Sequence, residues 1–448
     1  MGRAGRVRLR TMEVEQLMTD VVEWFATESW VAGVVGLGYV GLPLAVAASD
    51  AGLDVIGYDV SSPLVAALRN GQSHVEDVRD EALVVALEQG ATFTDVADDL
   101  SRADAIFIAV PSPLGRNRQP DMSYIESAAG LVASVARPGQ LISLESTTYP
   151  GTTEDFLLPA LREAGLEVDE HVYVAFSPER VDPGNVLHTG DIPKVVGGVT
   201  RLSGEVAAAA YGCLVAKVHP VSSARAAELT KLLENTYRAV NIAMVNELAQ
   251  VAHAFDIDIW EVIDAAATKP FGFQPFFPGP GVGGHCIPLD PQFLAWRAKE
   301  MRVATRFIDL AEDVNIHMPD WVAARIGDEL NSRGLPVSGT RILGMGVAYK
   351  KNIADDRESP SVDLLARLAR RGAELGVLDP HVPRPRLERF GYEVVSSDDD
   401  LDGWTMAVVL TDHDVIDYVR VASQVDVVFD TRGVYRRQGI DAPNVVSL

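Results

Sequence analysis

Short hydrophobic runs alternate with helical patterns through the first half of the chain. The runs have the length of buried strands, and the segments between them carry apolar residues at helical spacing. The predicted strands are residues 31–35, 54–59, 105–110, 141–145 and 172–176. Alternating strands and helices are typical of a parallel sheet with helices on its faces. We therefore expect an α/β domain over residues 29–217, after an N-terminal extension of residues 1–28.

A different pattern follows between residues 224 and 257, where apolar side chains recur at helical spacing. They are Leu229, Leu232, Leu233, Tyr237, Val240, Met244, Leu248, Val251 and Phe255. A helix of this length usually forms an inter-domain spine or a subunit interface. The pattern predicts a central all-helical domain over residues 218–335 and a homodimer or higher homo-oligomer.

Strand patterns return in the last quarter of the chain. They lie within residues 340–349, 372–380, 405–411 and 425–431. This second alternation predicts a smaller α/β domain over residues 336–448.

Composition narrows the possible partners. A chain of 448 residues with 47% hydrophobic content is long enough for two or three domains. Its formal net charge of −24 argues against binding to nucleic acid or to an anionic membrane. The two cysteines, Cys213 and Cys286, form no disulfide framework, which favours a reduced cytoplasmic setting.

Three glycines in "GLGYVG" form a dinucleotide fingerprint between the first strand and the following helix. Gly36 permits a tight turn, Gly38 lets the backbone approach a pyrophosphate, and Gly41 allows close packing of helix on strand. Asp59 closes the second strand at the spacing expected of a ribose-binding carboxylate, which favours NAD over NADP. The intervening residues of the same turn are Leu37, Tyr39 and Val40.

The fingerprint also decides how the uncharged segment Val31–Ser49 is interpreted. It approaches the length of a membrane span, but its four glycines and one proline fit a strand, a turn and a helix. The predicted fold class is α/β, with an N-terminal Rossmann-like NAD-binding domain, a central all-helical domain with a long spine helix, and a C-terminal Rossmann-like domain.

"GPGVGGHCIPLDP", residues 279–291, raises the question whether its cysteine is structural or reactive. A lone cysteine is more often a small buried hydrophobic residue. Here the flanking glycines offer little side chain to bury it, and the aromatic approach "FGFQPFFPGP" could shield a site from water. Lys231 and Asn235 share one face of the long helix, which Arg238 extends. By itself that face would be read as an ordinary solvated surface.

Five motifs in order resemble the nucleotide-sugar 6-dehydrogenase family, which contains UDP-glucose, GDP-mannose and UDP-N-acetylhexosamine dehydrogenases. They are "SPERVDPGN", "KLLENTYRAVNIAMVNE", "GPGVGGHCIPLDP", "GVAYKKNIADDRESPS" and "FDTRG". Within the family the chain resembles the UDP-N-acetylhexosamine branch, especially UDP-N-acetylglucosamine 6-dehydrogenase. The features that carry this are His285 before the cysteine, "IPLDP" after it, "PSPLGRNRQPDMSY" at residues 111–124 and "SPERVDPGN" at residues 177–185. The resemblance implies a product used for polysaccharide biosynthesis.

The resemblance implies oxidation of the sugar C6 alcohol to a carboxylate with two NAD⁺ per sugar. Cys286 matches the nucleophile that forms a thiohemiacetal and then a thioester. Lys231, Asn235 and Asp290 match the residues that stabilise charge and move protons. Glu179 matches the carboxylate that orients or deprotonates the hydrolytic water.

Further residues match the family's cofactor and substrate contacts. The implied cofactor contacts beyond the fingerprint are Val110, Pro111, Ser112, Ser146, Thr147 and Arg357, with Ser112 in place of the family's usual threonine. The implied substrate contacts are Glu179, Arg180, Lys231, Asn235, Arg238, Phe277, Gly279, Gly283, His285, Tyr349, Lys350 and Arg432. No metal ligand set is expected.

In the C-terminal domain Gly344 and Gly346 echo the fingerprint, but Tyr349 occupies the third glycine position. We therefore expect this domain to hold a mononucleotide and not a second dinucleotide. The resemblance implies that the mononucleotide is the UDP moiety of a sugar nucleotide.

Alternative functions remain open from the sequence. A single-step β-hydroxyacid dehydrogenase shares the domain layout and a helix Lys/Asn pair but needs no thiol. A catalytically silent NAD-binding protein is a second alternative. Within the resembling family, UDP-N-acetylmannosamine, UDP-N-acetylgalactosamine and UDP-glucose compete with UDP-N-acetylglucosamine as substrate.

Overall fold

The structure is a computed structural model that describes residues 19–75, 77–115, 119–181, 191–284 and 286–448. The chain divides between Glu234 and Asn235 into two compact units.

The first unit contains one eight-stranded sheet with the order β3-β2-β1-β4-β5-β6-β7-β8. Its strands are β1 Val31–Val35, β2 Asp54–Tyr58, β3 Thr92–Thr94, β4 Ala105–Ile108, β5 Leu141–Leu144, β6 Tyr173–Phe176, β7 Lys194–Gly198 and β8 Val218–Val221. Strands β1 to β6 are parallel, as the alternating pattern predicts. Strand β7 pairs antiparallel with β6, and β8 pairs parallel with β7.

Helices cover both faces of this sheet, and the central strands are buried because of them. The helices are α1 Gly41–Asp50, α2 Ser62–Arg69, α3 Asp80–Glu88, α4 Ser123–Val135, α5 Leu158–Glu163 and α6 Arg201–Leu214, with a 3-10 helix at Ala97–Arg102 and a π-helical turn at Thr153–Leu157. Every residue of β4 and β5 is buried. This explains why these strands read as continuous hydrophobic runs.

Val31–Ser49, the uncharged segment, forms β1, the glycine turn and most of α1. Within the described ranges, no helix combines the length and the apolar character needed to cross a membrane.

Helix α7, Ala224–Ala254, is the predicted long helix and ends within three residues of the predicted end. Its apolar residues divide between two faces. Leu232 is fully buried, whereas seven others are 43–72% exposed: Leu229, Leu233, Tyr237, Met244, Leu248, Val251 and Phe255. The remaining helices of the central region are α8 Ile259–Ala267, α9 Asp290–Glu300 and α10 Arg306–Ser332.

The second unit also contains a six-stranded sheet, entirely parallel, with the order β11-β10-β9-β12-β13-β14. Its strands are β9 Arg341–Met345, β10 Glu374–Leu378, β11 Glu393–Val394, β12 Met406–Val409, β13 Val427–Asp430 and β14 Val445–Ser447. The accompanying helices are α11 Pro360–Arg370, α12 Arg384–Leu387, α13 Tyr418–Gln424 and α14 Val434–Gln438, with a 3-10 turn at Glu388–Phe390.

The predicted fold class is confirmed: the chain contains two Rossmann-like sheets, and the segment that connects them in sequence is helical. Five strands were not predicted, namely β3, β7, β8, β11 and β14. Four of these, β3, β8, β11 and β14, are edge strands of two to four residues, and β8, β11 and β14 have no buried residue. Strand β7 is buried throughout, but its sequence KVVGG contains only two adjacent hydrophobic residues. Strand β8 begins at the first residue of the predicted central domain but pairs with the first sheet.

Candidate functional site

The fingerprint turn has the geometry that its three glycines predict. Gly36 has φ of +89° and donates its N–H to Tyr58 O at 2.8 Å. A Cβ on Gly36 would lie 2.7 Å from Ala109 O, and one on Gly41 would lie 1.8 Å from Gly36 O. A Cβ on Gly38 would meet nothing within 4 Å. Gly36 and Gly41 are therefore required by the fold, whereas Gly38 leaves open space beside the helix N-terminus.

Asp59 closes this turn. One carboxylate oxygen accepts the N–H of Leu37 at 3.0 Å, and the other accepts the N–H of Ser61 at 2.9 Å. The Asp59 side chain is only partly buried, so the carboxylate is fixed in position and still reachable by a ligand hydroxyl.

The predicted cofactor residues after β4 and β5 lie side by side. The Ser146 hydroxyl donates to Val110 O at 2.7 Å, which joins the carboxyl ends of the two strands. Open α/β sheets bind ligands at this edge. The remaining cofactor candidates are exposed or half-buried: Tyr39 and Val40 in the fingerprint turn, and Pro111, Ser112 and Thr147 after β4 and β5.

Glu179 lies just after β6 and is held by three donors. Its Oε1 accepts the N–H groups of Arg180 and Val181, both at 2.7 Å, and its Oε2 accepts Lys194 Nζ at 2.9 Å. Its main-chain oxygen accepts Lys231 Nζ at 2.6 Å. Burial opposes ionisation of this carboxyl, but Lys194 and the two N–H groups lower the pKa of Glu179 below its ordinary value. The structure thus brings Glu179 and Lys231 together.

A buried network behind Glu179 was missed by the sequence analysis. Lys194 Nζ also donates to Glu145 Oε2 at 2.7 Å, and Tyr211 OH donates to Glu145 Oε1 at 2.7 Å. Burial raises the pKa of Glu145 despite the nearby lysine. Burial also lowers the tendency of Lys194 to ionise, but the two carboxylates outweigh it and raise the pKa of Lys194. The acidic residue at the end of "LISLE" was the available signal.

Arg180 forms an ion pair with Glu234. Its guanidinium donates to both carboxylate oxygens of Glu234, at 2.5 and 3.1 Å, and to Pro193 O at 2.8 Å. This bidentate pair gives Arg180 a structural reason to be present. Arg238, one turn further along α7, is half-buried.

In the second unit, the cysteine loop runs directly into α9. Asp290 is the first residue of α9, and its N–H donates to Cys286 O at 2.9 Å. This helical turn places Cys286 and Asp290 one turn apart, so they share a face. Cys286 is exposed, and Asp290 is buried. Asn235 Nδ2 donates to Asp290 Oδ2 at 2.5 Å. The structure therefore joins three of the predicted catalytic residues.

The loop glycines make room for other predicted substrate residues. A Cβ on Gly279 would lie 2.6 Å from Arg432 Nη1. A Cβ on Gly283 would lie 2.8 Å from Tyr349 Cβ, and one on Gly284 would lie 2.7 Å from the Tyr349 ring. The resemblance implies that Gly279 and Gly283 contact the substrate. The structure adds that they allow Tyr349 and Arg432 to pack against the loop.

Two further contacts fix this region. Phe277 stacks on Trp260 with ring centroids 6.1 Å apart. Asn246 is fully buried, accepts Gly279 N–H at 3.0 Å and donates to Asn315 Oδ1 at 2.9 Å. Asn246 lies within the motif "KLLENTYRAVNIAMVNE", but no local pattern predicts its role in holding the loop.

Two further predicted site residues lie in the C-terminal domain. Lys350 is half-buried, and Arg357 donates from Nε and Nη2 to Asp355 at 2.8 and 2.6 Å. His285 and the second part of "SPERVDPGN", from Asp182 onward, lie outside the described residues. In the part of the chain that the structure covers, no group of three or more His, Cys, Asp or Glu residues is arranged to hold a metal ion.

Comparison with known families adds independent evidence. Three models of the UDP-glucose/GDP-mannose dehydrogenase family match in order: the NAD binding domain at residues 31–215, the central domain at residues 225–317 and the UDP binding domain at residues 343–437.

Individual relatives cover most of the chain. The UDP-N-acetyl-D-glucosamine 6-dehydrogenase of Pseudomonas aeruginosa is 36% identical over 78% of this chain and 82% of its own length. The NDP-N-acetyl-D-galactosaminuronic acid dehydrogenase of Ralstonia nicotianae is 36% identical over 91% and 97%. The solved structure of the UDP-D-ManNAc dehydrogenase of Pyrococcus horikoshii superposes with a TM-score of 0.83, at 30% identity over 93% of this chain and 98% of that one.

Proposed function

The chain belongs to the UDP-glucose/GDP-mannose dehydrogenase family and is an NAD-dependent nucleotide-sugar dehydrogenase; from this premise we propose that it oxidises the C6 alcohol of a UDP-N-acetylhexosamine to the carboxylate. The contact of Asn235 with Asp290, one helical turn from Cys286, carries the proposal. An alcohol dehydrogenase that stops at the carbonyl has no need of a thiol in this arrangement.

In the proposed reaction Cys286 acts on the aldehyde formed by the first oxidation. Its thiolate adds to the carbonyl carbon and gives a thiohemiacetal, whose oxidation gives a thioester that water hydrolyses. Lys231 stabilises the oxyanion charge that develops on the substrate oxygen, and Asn235 donates a hydrogen bond to it. Asp290 exchanges the proton of the C6 hydroxyl, and Glu179 contacts the hydrolytic water.

NAD⁺, when bound, accepts the hydride in each oxidation. The residues of the first domain fit it: Gly38 leaves space for a pyrophosphate beside the N-terminus of α1, and Asp59 presents a fixed carboxylate to a ribose hydroxyl. We assign Val110, Ser146 and the adjoining Pro111, Ser112 and Thr147 to the remainder of the cofactor contact, and Arg357 by its resemblance to the family's cofactor residue.

We propose UDP-N-acetylglucosamine as the substrate. The activities for which the relatives are named support a nucleotide-linked N-acetyl sugar, with UDP as the nucleotide in two of the three, and the sugar differs among them. "HCIPLDP" and "PSPLGRNRQPDMSY" favour the N-acetylglucosamine branch by resemblance. In the C-terminal domain Tyr349, Lys350 and Arg432 are proposed to hold the UDP group, and Arg432 suits a diphosphate through its bidentate fork.

The NADH yield at completion tests this proposal. Limiting UDP-N-acetylglucosamine with excess NAD⁺ is expected to give two NADH per sugar, with UDP-N-acetylmannosamine, UDP-N-acetylgalactosamine and UDP-glucose run in parallel. One NADH per sugar would contradict the role of Cys286. Two NADH from another sugar alone would keep the mechanism and change the substrate.

The second cysteine provides a matched control. Cys213 is half-buried and its thiol donates to Phe25 O at 3.3 Å. Cys286→Ser is expected to abolish the two-NADH reaction, while Cys213→Ser retains it. Equal activity of both variants would favour a single-step β-hydroxyacid dehydrogenase.

We also propose a cytoplasmic homodimer, or a larger homo-oligomer, that supplies polysaccharide biosynthesis. The seven exposed apolar residues along α7 support association, because a row of such residues on a long helix is typical of subunit interfaces. Light scattering is expected to give at least twice the chain mass of 48.3 kDa; a monodisperse monomer would contradict it.

A further inference from the structure

Lys194 is a buried lysine for which the proposed reaction provides no role. Its side chain is 3% exposed, and the ammonium lies between the carboxylates of Glu145 and Glu179 at 2.7 and 2.9 Å. It is the first residue of β7, the strand that pairs antiparallel with β6. Glu179 follows the carboxyl end of β6, so the antiparallel pairing places Lys194 next to the Glu179 carboxylate.

The three donors on Glu179 leave little freedom for its carboxylate. An ionised carboxylate has about four lone-pair sites, and Arg180 N, Val181 N and Lys194 Nζ occupy three of them. One acceptor position is left for a further donor. Since these donors also lower the pKa of Glu179, the carboxylate is a weak base that serves as a fixed hydrogen-bond acceptor.

Glu145 holds Lys194 from the opposite side. Its side chain is fully buried, and its other oxygen accepts the Tyr211 hydroxyl at 2.7 Å. The Tyr211 hydroxyl also lies 2.9 Å from Ser143 Oγ. Glu145 is held by Tyr211 and in turn fixes Lys194. The position of Lys194 then determines where the Glu179 carboxylate lies.

The same segment positions a second reactive group. The main-chain oxygen of Glu179 accepts Lys231 Nζ at 2.6 Å. A shift of Glu179 would therefore disturb both the carboxylate and the ammonium that is proposed to stabilise oxyanion charge.

We propose that Lys194, supported by Glu145, is a positioning residue for the hydrolytic step: it holds the Glu179 carboxylate where it accepts a hydrogen bond from the attacking water. This inference rests on the proposed function.

In the hydrolytic step, a C–O bond forms between water and the acyl carbon, and the C–S bond to Cys286 breaks. One water proton is taken by the Cys286 sulfur, and the other is released to solvent as the product acid ionises. No electrons are transferred.

The test separates hydrolysis from oxidation. Lys194→Met removes the ammonium and keeps an unbranched side chain. The variant is mixed with NAD⁺ and the sugar nucleotide that the wild type oxidises. We expect a rapid burst of two NADH per active site, followed by steady-state NADH formation about 10- to 100-fold slower than in the wild type. A small misplacement of a reacting group has an effect of this size. Intact-mass measurement after acid quench is expected to show the acyl adduct on Cys286.

Lys217→Met is the matched control. Lys217 is an exposed lysine on the segment that leads into the neighbouring strand, and its main-chain oxygen accepts the Lys194 N–H. It is expected to turn over like the wild type, with no accumulated adduct. Lys194→Met behaving like Lys217→Met would overturn the inference, as would a slowed first oxidation with no burst, because that result indicates a general structural defect.

Glu145→Gln decides the case if Lys194→Met does not fold, since it retains the size of the side chain. Adduct accumulation in Glu145→Gln supports the inference, and its absence overturns it. A wild type that produces no NADH from any of the four sugars would overturn the proposed function and this inference together. A wild type that yields two NADH per sugar, with no adduct in the variants, would overturn this inference alone.

Discussion

The two Rossmann-like sheets begin in the same way. Both place their first six strands in the order 3-2-1-4-5-6 when each sheet is numbered from its own first strand. Gly36 follows β1 and Gly346 follows β9, with φ of +89° and +81°. Each glycine donates its N–H at 2.8 Å to the last residue of the next strand, Tyr58 in one case and Leu378 in the other.

The acidic residue after the second strand is used differently in the two domains. Asp59 accepts the N–H groups of Leu37 and Ser61 and remains partly exposed. Asp379 is fully buried and accepts from five groups, namely the N–H groups of Val347, Ala348, His381 and Val382 and the ring Nε2 of His413. Burial opposes its ionisation, but these donors lower the pKa of Asp379 to about 2.

The connection to the next helix differs as well. Helix α1 begins at Gly41, five residues after Gly36, whereas α11 begins at Pro360, fourteen residues after Gly346. The longer connection contains Tyr349 and Lys350. Both carboxylates hold the backbone of their own turn, but Asp59 stays partly exposed near the N-terminus of α1, whereas the Asp379 side chain is closed off from solvent. Identical strand order does not determine which ligand a turn accepts.

The largest effect is expected from Gly41→Ala. A Cβ would lie 1.8 Å from Gly36 O, so the turn must open, and overpacking of this kind destabilises by about 1–3 kcal/mol. Both thermal stability and NAD⁺ affinity should fall. Gly38→Ala is the matched control: it meets no protein atom within 4 Å and should weaken NAD⁺ binding with an unchanged melting temperature. Differential scanning fluorimetry with and without NAD⁺ would distinguish them, and equal melting temperatures for the two variants would contradict the account.

Asp379→Asn tests the second domain. The pKa of Asp379 is lowered from 3.8 to about 2. Ionised Asp379 therefore adds about 2 kcal/mol to the free energy of unfolding above pH 4, and this stabilisation is lost as pH falls towards 2. The variant should unfold at lower urea concentration at pH 7, and the difference from wild type should shrink below pH 4. A difference independent of pH would show that the carboxylate charge is not responsible.

A smaller effect is expected from Asp59→Asn. Loss of one charged hydrogen bond to the ribose should raise KM for NAD⁺ roughly tenfold, which corresponds to a loss of about 1.4 kcal/mol of binding free energy. The carboxylate also repels a 2′-phosphate, so use of NADP⁺ should increase relative to NAD⁺. Initial rates with each cofactor measure both changes; KM values like those of the wild type would remove Asp59 from the cofactor site.

Much of the fold and part of the site could be predicted from the sequence because the signals are local. The fingerprint glycines and Asp59 lie within one strand–helix–strand unit, and Cys286 and Asp290 lie within one helical turn. The alignment of the second turn was less accurate: the structure matches Gly346, not Gly344, to Gly36. Gly344 lies inside β9, where a Cβ would meet Leu365 and Leu410.

Long-range contacts could not be predicted. Lys194 is separated by 49 residues from Glu145 and by 15 from Glu179. Nothing near it in the sequence indicates a charged partner, and a lysine at a strand end is usually solvated. Only the antiparallel pairing of β7 with β6 brings these groups together.

A calorimetric titration of the full chain with NAD⁺, repeated in the presence of saturating UDP, tests this division of ligands most directly. The account predicts one NAD⁺ per chain in both titrations, one UDP per chain, and a weaker NAD⁺ isotherm but an unchanged UDP isotherm for Asp59→Asn. Two NAD⁺ per chain, or displacement of NAD⁺ by UDP, would contradict it.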